Sequence, residues 1–311
     1  MISTSIFALL PLWLVIFFVF TLGAIIGSFL DVVVTRFHAG ASLSGRSRCL
    51  SCGRTLCWYE LVPCLSFLLL RGRCQGCHAL IPKRLLVTEI ITGGLFTLVF
   101  FMSGSWTLLF LNWILVSILL IITLYDVMHL IIPNEFVLLL TMVAFAIWLV
   151  GGTQISLGTS LLYSAATALA VFAFYGSLWL FSGGRWIGLG DAKLAAPLAF
   201  ILAPLSAVSF VIFSFWLGAV ISLSIMAWPI VIRFIISLFK AFFATITKVN
   251  DTRRGFFKTF HSRLVVEKYP RYFTIKSEVP FAPFIIGAFL LVYFFSADAL
   301  ELVNTVIYDL F

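Results

Sequence analysis

Long apolar stretches make up most of the chain, and two polar segments interrupt them. The stretches are apolar on every helical face, whereas a β-barrel strand would be polar at every second residue. Several reach the roughly 20 residues that a helix needs to cross a bilayer. We therefore predict about eight membrane helices, at approximately 6–30, 85–102, 106–125, 132–150, 157–182, 192–205, 207–239 and 281–297.

The composition supports this interpretation. Of the 311 residues, 62% are hydrophobic and 10% are charged, whereas soluble domains carry roughly 25% charged residues. An ordinary water-soluble fold is therefore excluded. The predicted fold class is an all-α polytopic membrane protein. A polar segment of about residues 35–84 follows its first helix, and a basic loop of about 240–279 precedes its last helix.

The positions of the basic residues predict the orientation of the helices. Eight of the twenty Lys and Arg residues lie in the first polar segment, two flank the loop between the fifth and sixth helices, and ten run from Arg233 to Lys276. With eight helices, all twenty fall on one face. Positive charge is retained in the cytoplasm, so we predict that this face is cytoplasmic. Anionic lipid accounts for the net charge of +8, and we expect no nucleic-acid partner.

Two C-x-x-C pairs in the first polar segment predict a metal site. They are separated by 21 residues, slightly more than the usual 15–20. The four ligands would be Cys49, Cys52, Cys74 and Cys77. Disulfides and incidental cysteines are the alternatives, but a reducing cytoplasm disfavours disulfides. We predict a closed structural Zn²⁺ site, which holds a loop together without performing catalysis. Cys57 and Cys64 lie outside the pattern and are expected to be buried thiols.

Five carboxylates lie close to the predicted cytoplasmic helix ends: Asp31, Glu89, Asp126, Glu135 and Asp191. Ionisable groups at membrane depth are costly and point to function. Asp126 ends an apolar run, where a negative charge opposes the helix dipole. Asp191 follows Gly188 and Gly190. Aspartate there could simply cap the next helix, but the glycines would also let a substrate backbone approach closely.

We interpret Asp126 and Asp191 as a catalytic pair. Two carboxylates within hydrogen-bond reach share one proton, so the charged member can deprotonate a water that attacks a peptide carbonyl. The protonated member donates to the oxyanion that develops. Glu89 and Glu135 are expected to pair with Arg84 or Lys193.

For two further side chains near this face, we expect a structural role and not a catalytic one. Asp31 is expected to cap a helix or to pair with a nearby arginine. His129 could assist the catalytic pair, although an interfacial histidine with no catalytic role is the simpler interpretation.

Taken together, these residues resemble the type IV prepilin peptidase family of membrane-embedded GxGD aspartyl proteases. The matching motifs run through most of the chain in order. They are Gly27-Ser28-Phe29-Leu30, the twin C-x-x-C, Ile81 with Arg84 and Glu89, Asp126 followed by Ile132-Pro133-Asn134, Gly188-Leu189-Gly190-Asp191 with Lys193-Leu194, and Val279-Pro280-Phe281-Ala282-Pro283-Phe284. Each motif alone is modest, and six in order are specific.

The resemblance implies that Asp126 and Asp191 are catalytic and that nearby residues support them: Gly188, Gly190, Lys193, Pro280 and Pro283. It also implies a prepilin or pseudopilin substrate, cut on the cytoplasmic side after a glycine in a short basic leader. Family members then N-methylate the new terminus with S-adenosylmethionine. The implied division is an N-terminal methyltransferase region at 1–104 and a peptidase region at 105–311.

The departures from the family pattern fall mostly in the N-terminal region. Asp31 replaces the usual Asn, Leu50 replaces a proline, and Leu85-Leu86 replaces Tyr-Pro. The segment from about 233 to 279 is also longer than is typical. A cleavage-only peptidase is therefore the main alternative, and an ion-coupled transporter or a non-catalytic scaffold are the others. Transporters typically bind at the midplane between internal repeats, and no repeat is apparent in this sequence.

Overall fold

A computed structural model describes residues 11–40, 42, 44–49, 51–151, 157–247 and 280–295. The described chain is almost entirely helical, which confirms the predicted class. The α-helices are α1 Leu12–His38, α2 Leu65–Leu69, α3 Lys83–Met102, α4 Trp106–His129, α5 Asn134–Gly151, α6 Leu157–Ser182, α7 Leu189–Ile201, α8 Pro204–Thr247 and α9 Ala282–Phe295. A 3₁₀-helix lies at Trp58–Leu61.

Six helices in the described residues are long and apolar enough to cross a membrane: α1, α3, α4, α5, α6 and the part of α8 from Pro204 to Trp228. The sixth predicted helix, α7, has only 13 residues. At 1.5 Å per residue it rises about 20 Å, less than the roughly 30 Å hydrocarbon core. Helix α8 continues to Thr247, beyond the predicted end at 239. The remainder of the predicted basic loop, 248–279, lies outside the described residues.

The chain divides into two compact units, with the boundary between Ser214 and Phe215 inside α8. The first contains α1 to α7, the start of α8, and α9. The second comprises, among the described residues, the rest of α8. All the candidate site residues belong to the first unit.

Helix α4 lies at the centre of the first unit. Its contacts extend to α1, α3, α5 and α9. One face carries fully buried aliphatic side chains such as Leu109 and Val116, which pack with Val34 of α1 and Val99 of α3. Apolar burial in lipid gives little net driving force between helices, so close packing of this kind has to supply the association energy.

Helices α1 and α3 approach closely at two glycines of α1. A Cβ atom added to Gly23 would lie 2.8 Å from the carbonyl oxygen of Thr92 and 2.9 Å from the Cα of Gly93. One added to Gly27 would lie 2.6 Å from Thr92 Oγ1. The spacing of four residues places both glycines on one face, as in small-xxx-small membrane helix pairs.

Contacts bring the predicted cytoplasmic helix ends together on one side of the unit. The imidazole rings of His38 and His129 stack with centroids 3.6 Å apart. Arg84 Nε lies 3.1 Å from Asp31 Oδ1, which confirms an arginine partner for Asp31. The stack also ties His129 into the packing between α1 and α4.

The expected partners of two glutamates were wrong. Glu89 Oε2 accepts a 2.7 Å hydrogen bond from the backbone N–H of Cys64, because Arg84 is directed to Asp31. Lys193 Nζ donates instead to Asn134 Oδ1, at 3.1 Å, and not to Glu135. Glu89 therefore fastens the cysteine segment to the first turns of α3.

We predict that Gly23→Ala lowers the thermal stability of the purified protein, because the new methyl group meets rigid backbone of α3. Overpacking of this kind costs about 1–3 kcal/mol. The matched control is Gly94→Ala on α3, where an added Cβ has no neighbour within 4 Å. Thermal unfolding in detergent should show a lower midpoint for Gly23→Ala alone. Equal midpoints would contradict the close contact between α1 and α3.

Candidate active site and metal centre

Asp126 lies in the last turn of α4, where the chain must stop being helical. Leu130 ends the helix in the left-handed conformation, with φ of 56°, and its N–H donates to the carbonyl oxygen of Asp126 at 2.8 Å. The Asp126 side chain is buried, and its Oδ2 accepts a 3.2 Å hydrogen bond from the backbone N–H of Ala282. The first turn of α9 thus supplies a hydrogen-bond donor to Asp126. The C-terminal end of α4 cannot do so, because its free backbone groups are carbonyl oxygens.

Asp191 is the third residue of α7, not the residue before it. The cap is Gly188, whose backbone N–H donates to Asp191 Oδ2 at 3.0 Å. Asp191 is also buried. A carboxylate in the first turn is stabilised by the helix dipole and by reaching back to the cap. The local fold therefore provides the Asp191 carboxyl group with a hydrogen-bond donor at this point.

Gly190 permits a close approach within the protein itself. A Cβ atom there would lie 3.3 Å from Cβ of Ile132, in the segment that connects α4 to α5. We expected the glycines to make room for a substrate backbone. At Gly190 the space is taken up by Ile132, so this glycine helps to bring the start of α7 against the end of α4.

The two aspartates line one cleft of about 320 Å³. The other lining residues are Leu130, Ile131, Ile132, Asn134, Gly188, Gly190 and Lys193. Asp126 and Asp191 are near enough for their charges to interact. Lys193 and Asn134, joined by their hydrogen bond, connect α7 to α5 beside the acids. Five of the seven predicted active-site residues thus lie in or on this cleft, although their catalytic roles remain predictions.

The two remaining support residues, Pro280 and Pro283, flank Ala282 at the beginning of α9. Proline is tolerated in the first helical turn, where its missing N–H has no intrahelical acceptor. Ala282 is the first residue of α9, so its N–H has no intrahelical acceptor, and it donates to Asp126 instead. Neither proline lines the cleft, and a supporting role for them stays a prediction.

Sequence reasoning missed three members of this neighbourhood. Ala282 acts through its backbone, and Asn134 entered only as part of a motif. The fully buried Tyr175 of α6 lies near enough to Asp191 to interact electrostatically, and its hydroxyl is 2.5 Å from Ser214 Oγ. Nothing in an apolar stretch distinguishes this tyrosine from other core aromatics. The pairing with Ser214 could only be found in three dimensions.

The chemistry of the cleft follows from the two buried carboxyl groups. Placing two like charges in a partly apolar cleft is unfavourable, so one carboxyl group tends to hold a proton while the other stays ionised. Such a pair can both accept a proton from water and donate one to a carbonyl oxygen. The pair lies at the end of α4 and the beginning of α7.

The four cysteines of the twin C-x-x-C pairs converge. Their sulfur atoms all lie within 4.8 Å of one another, and Cys49 Sγ is 3.8 Å from Cys77 Sγ. Four sulfurs bound at 2.3 Å around a tetrahedral Zn²⁺ are about 3.8 Å apart. The donor set therefore fits a Cys₄ metal ion, and the identity of that ion as zinc remains a prediction. Cys57 and Cys64 lie outside the cluster and are half-buried, not buried.

The two knuckles repeat one backbone arrangement. In each, the N–H of the first cysteine donates to a carbonyl five residues later, Arg54 in one and Ala79 in the other, both at 2.9 Å. Gly53 and His78, directly after each second cysteine, both have positive φ, 71° and 55°. Each knuckle has the sequence R-x-R-C-x-x-C, at 46–52 in the first and 71–77 in the second. The expectation that the chain has no internal repeat was therefore wrong for this segment.

Arg54 joins the first knuckle to the second. Its NH2 group lies 2.6 Å from Glu60 Oε1, and its guanidinium is near enough to the Cys74 sulfur to interact with it electrostatically. A Cβ atom at Gly76 would lie 3.1 Å from Arg54 Nε, so a side chain there would crowd the guanidinium. Backbone N–H donors from Cys77 and Gly76 lower the pKa of the Cys74 thiol to about 6. Cys74 is therefore prepared to hold thiolate charge, whereas, against the lowering effect of the Ala79 amide, burial and the neighbouring thiols raise the pKa of the Cys77 thiol to about 11.

Comparison with known proteins finds family matches in the two regions that contain the cysteine cluster and the aspartate pair. The type IV leader peptidase family matches residues 113–223, and the bacterial peptidase A24 N-terminal domain matches residues 21–103. A prepilin leader peptidase/N-methyltransferase of Aeromonas hydrophila is 30% identical over 215 residues, covering 60% of this chain and 72% of that protein. The chain belongs to the type IV leader peptidase family.

Other relatives with the same printed name match different portions. The Klebsiella pneumoniae protein is 31% identical over 188 residues, 58% of this chain and 82% of that protein. The Myxococcus xanthus protein is 43% identical over a shorter stretch of 118 residues, 37% of this chain and 35% of that protein. No solved structure matches the chain. The peptidase match contains both Asp126 and Asp191, and the N-terminal match contains all four clustered cysteines.

For this leader peptidase family member we predict that Arg54→Gln weakens metal binding by about 10- to 100-fold, the usual effect of losing an outer-shell partner. The guanidinium would otherwise offset the double negative charge of a zinc tetrathiolate. Competition between the purified protein and a chromogenic zinc chelator measures the affinity directly.

The matched control is Arg46→Gln, since Arg46 is exposed in the same segment. It should bind zinc as the wild type does. Unchanged affinity in Arg54→Gln would show that Glu60 and the backbone donors suffice to hold the cluster.

Proposed function

We propose that the protein is a membrane aspartyl endopeptidase that removes the leader peptide of type IV prepilins or pseudopilins at the cytoplasmic face of a bacterial inner membrane. The observation that carries the proposal is the pair of buried aspartates, Asp126 and Asp191, in one cleft within the region that matches the leader peptidase family. The names of the relatives supply the substrate class.

The proposed reaction uses only groups of this cleft. The ionised aspartate takes a proton from a bound water, whose oxygen attacks the scissile carbonyl carbon. The protonated aspartate donates a hydrogen bond to the carbonyl oxygen and then its proton, so that the tetrahedral intermediate forms without a free oxyanion. Collapse of the gem-diol intermediate breaks the C–N bond. The carboxyl group that gained the water proton passes it to the leaving amine, and the other aspartate takes back a proton from a gem-diol hydroxyl, which restores the starting pair. The Gly188 and Ala282 amides fix the two carboxyl groups throughout.

The location favours this reaction over its alternatives. Peptide hydrolysis requires water, which the hydrocarbon core lacks, and the cleft lies where α4 ends and α7 begins. An ion-coupled transporter would place its acids near the midplane. Acids that open toward one face of the bundle therefore support hydrolysis of a segment presented from the cytoplasm.

We further propose the division into an N-terminal region at 1–104 and a peptidase region at 105–311. The two family matches, at 21–103 and 113–223, fall on either side of the boundary. The zinc site would clamp the polar segment between α1 and α3, with no part in the hydrolysis. Its ligands would be Cys49, Cys52, Cys74 and Cys77.

N-methylation of the new terminus is the second proposed activity, and the names of the relatives support it. S-adenosylmethionine is a zwitterion with an adenine ring and needs several polar partners. Two cavities of the described residues do not fit it. One is the 320 Å³ acidic cleft, and the other, about 620 Å³ between α6 and α8, is lined by Tyr163, Thr167 and otherwise apolar side chains. No step of methyl transfer is therefore assigned to particular residues.

Replacing either aspartate by asparagine should reduce prepilin cleavage to below about 1% of the wild-type rate, since general acid–base groups contribute 10²–10⁴-fold. Asparagine keeps an oxygen that can accept the Gly188 or Ala282 N–H, so the fold is expected to survive. Cleavage is measured by gel mobility of a co-expressed prepilin. Glu135→Gln, an exposed acid at the beginning of α5, is the matched control and should cleave normally. Full processing by either Asp variant would remove that residue from the mechanism.

Mass spectrometry of the processed pilin should show two changes at once. Loss of the leader reports cleavage, and an additional 14 Da on the new N-terminus, about the mass of one CH₂ group, reports methylation. We expect both in a pilin processed by the wild type. A mature pilin of unmodified mass would assign the protein to the cleavage-only alternative.

A further inference from the structure

The polar segment between α1 and α3 exposes large apolar side chains, although it lies outside the membrane-spanning helices. Trp58 is 78% exposed, Leu68 is 65% exposed and Leu69 is 72% exposed. Other members of this set are Leu61, Leu65 and Leu80, which are between 41% and 78% exposed. We call these six residues the apolar patch. Soluble surfaces rarely present so many large apolar side chains within one short segment.

The local helices bring members of the patch together. Leu65, Leu68 and Leu69 are spaced i, i+3 and i+4 in α2, so they lie on one side of that helix. Trp58 and Leu61 are three residues apart in the 3₁₀-helix, where side chains at that spacing eclipse. The two short helices are in contact. Phe67, on the other side of α2, instead packs against the turn at Gly72.

The zinc knuckles cannot cover this patch, because they are occupied with one another. The cysteine sulfurs face a common centre, Arg54 bridges to Glu60, and Tyr59 donates from its hydroxyl to Gln75 Oε1 at 3.1 Å. These contacts hold the segment on its polar side. The apolar side chains do not take part in these contacts, and they are exposed.

The helices at both ends of this segment and the charges within it indicate what covers the apolar patch. Helix α1 ends at His38 and α3 begins at Lys83, so both ends of the segment are fixed at the edge of a membrane span. Glu89 of α3 accepts a hydrogen bond from the backbone N–H of Cys64, the residue directly before α2. The segment also carries five arginines, Arg46, Arg48, Arg54, Arg71 and Arg73, and a single acid, Glu60, which Arg54 already binds.

We propose that the apolar patch inserts into the headgroup and upper acyl region of the adjacent leaflet, as an interfacial anchor that docks the zinc segment on anionic lipid. Leucines would bury in the acyl boundary, and Trp58 would sit at the interface that tryptophan favours. Arginines around the patch would meet lipid phosphates. The leaflet is the cytoplasmic one if the proposed function is correct, but lipid contact does not depend on peptidase activity.

The test uses the full-length protein in nanodiscs of phosphatidylcholine and phosphatidylglycerol. A benzophenone amino acid replaces Leu68 or Leu69 in turn, and lipid adducts are quantified by mass spectrometry after illumination. Leu162, a strongly exposed residue of the span α6, is the positive control. Gln75, exposed on the knuckle, is the negative control. The patch positions should give adduct yields near that of Leu162 and several-fold above that of Gln75.

Zinc content of about one ion per chain verifies that each labelled variant has folded. Omitting phosphatidylglycerol should lower the patch yields while leaving Leu162 unchanged, because only the patch relies on attraction between its arginines and a negatively charged lipid surface. Yields at Leu68 and Leu69 no higher than at Gln75 would overturn the proposal. Adducts to a second copy of the chain in place of lipid would also overturn it, and would identify the patch as a dimer contact. Prepilin cleavage, assayed separately, reports on the proposed function alone.

Discussion

Two hydrogen bonds from main-chain amides hold the buried carboxyl groups on which the site depends. An acid inside a membrane protein is tolerated only where a donor compensates for lost hydration. Here the donors are the N–H groups of Gly188 and Ala282. The beginning of a helix offers free amides of this kind, because its first N–H groups have no intrahelical acceptor. The cleft forms where α7 and α9 begin, beside the end of α4.

The membrane helices, the two aspartates and the four cysteines could be predicted from sequence because each is a local signal. A run of apolar residues, an acid at its end and a C-x-x-C spacing are all visible within a few residues. The donor to Asp126 was not visible, since Ala282 lies 156 residues away and its amide has no distinguishing side chain. The beginning of α7 was misplaced for a related reason. Asp191 is as good a cap residue as it is a third-position acid, and only the structure distinguishes the two.

Charge pairing was the least predictable feature. The sequence suggested Arg84 or Lys193 as partners of Glu89 and Glu135, because all four residues lie near the predicted cytoplasmic helix ends. Arg84 instead contacts Asp31 on α1, and Glu89 accepts from the backbone before α2. Asp31 is a departure from the family pattern, and its ion pair with Arg84 gives that departure a structural role. Long side chains reach across helices as easily as along them, so spacing alone does not decide between partners.

The brevity of α7 has a consequence for the surrounding lipid. Its 13 residues cover about two thirds of the hydrocarbon thickness, and α8 already starts at Pro204. A helix of this length matches only a hydrocarbon layer that is thinner than average, and each Å of mismatch costs fractions of a kcal/mol. Bilayer thickness therefore becomes a physical variable that acts on the same short helix that carries Asp191.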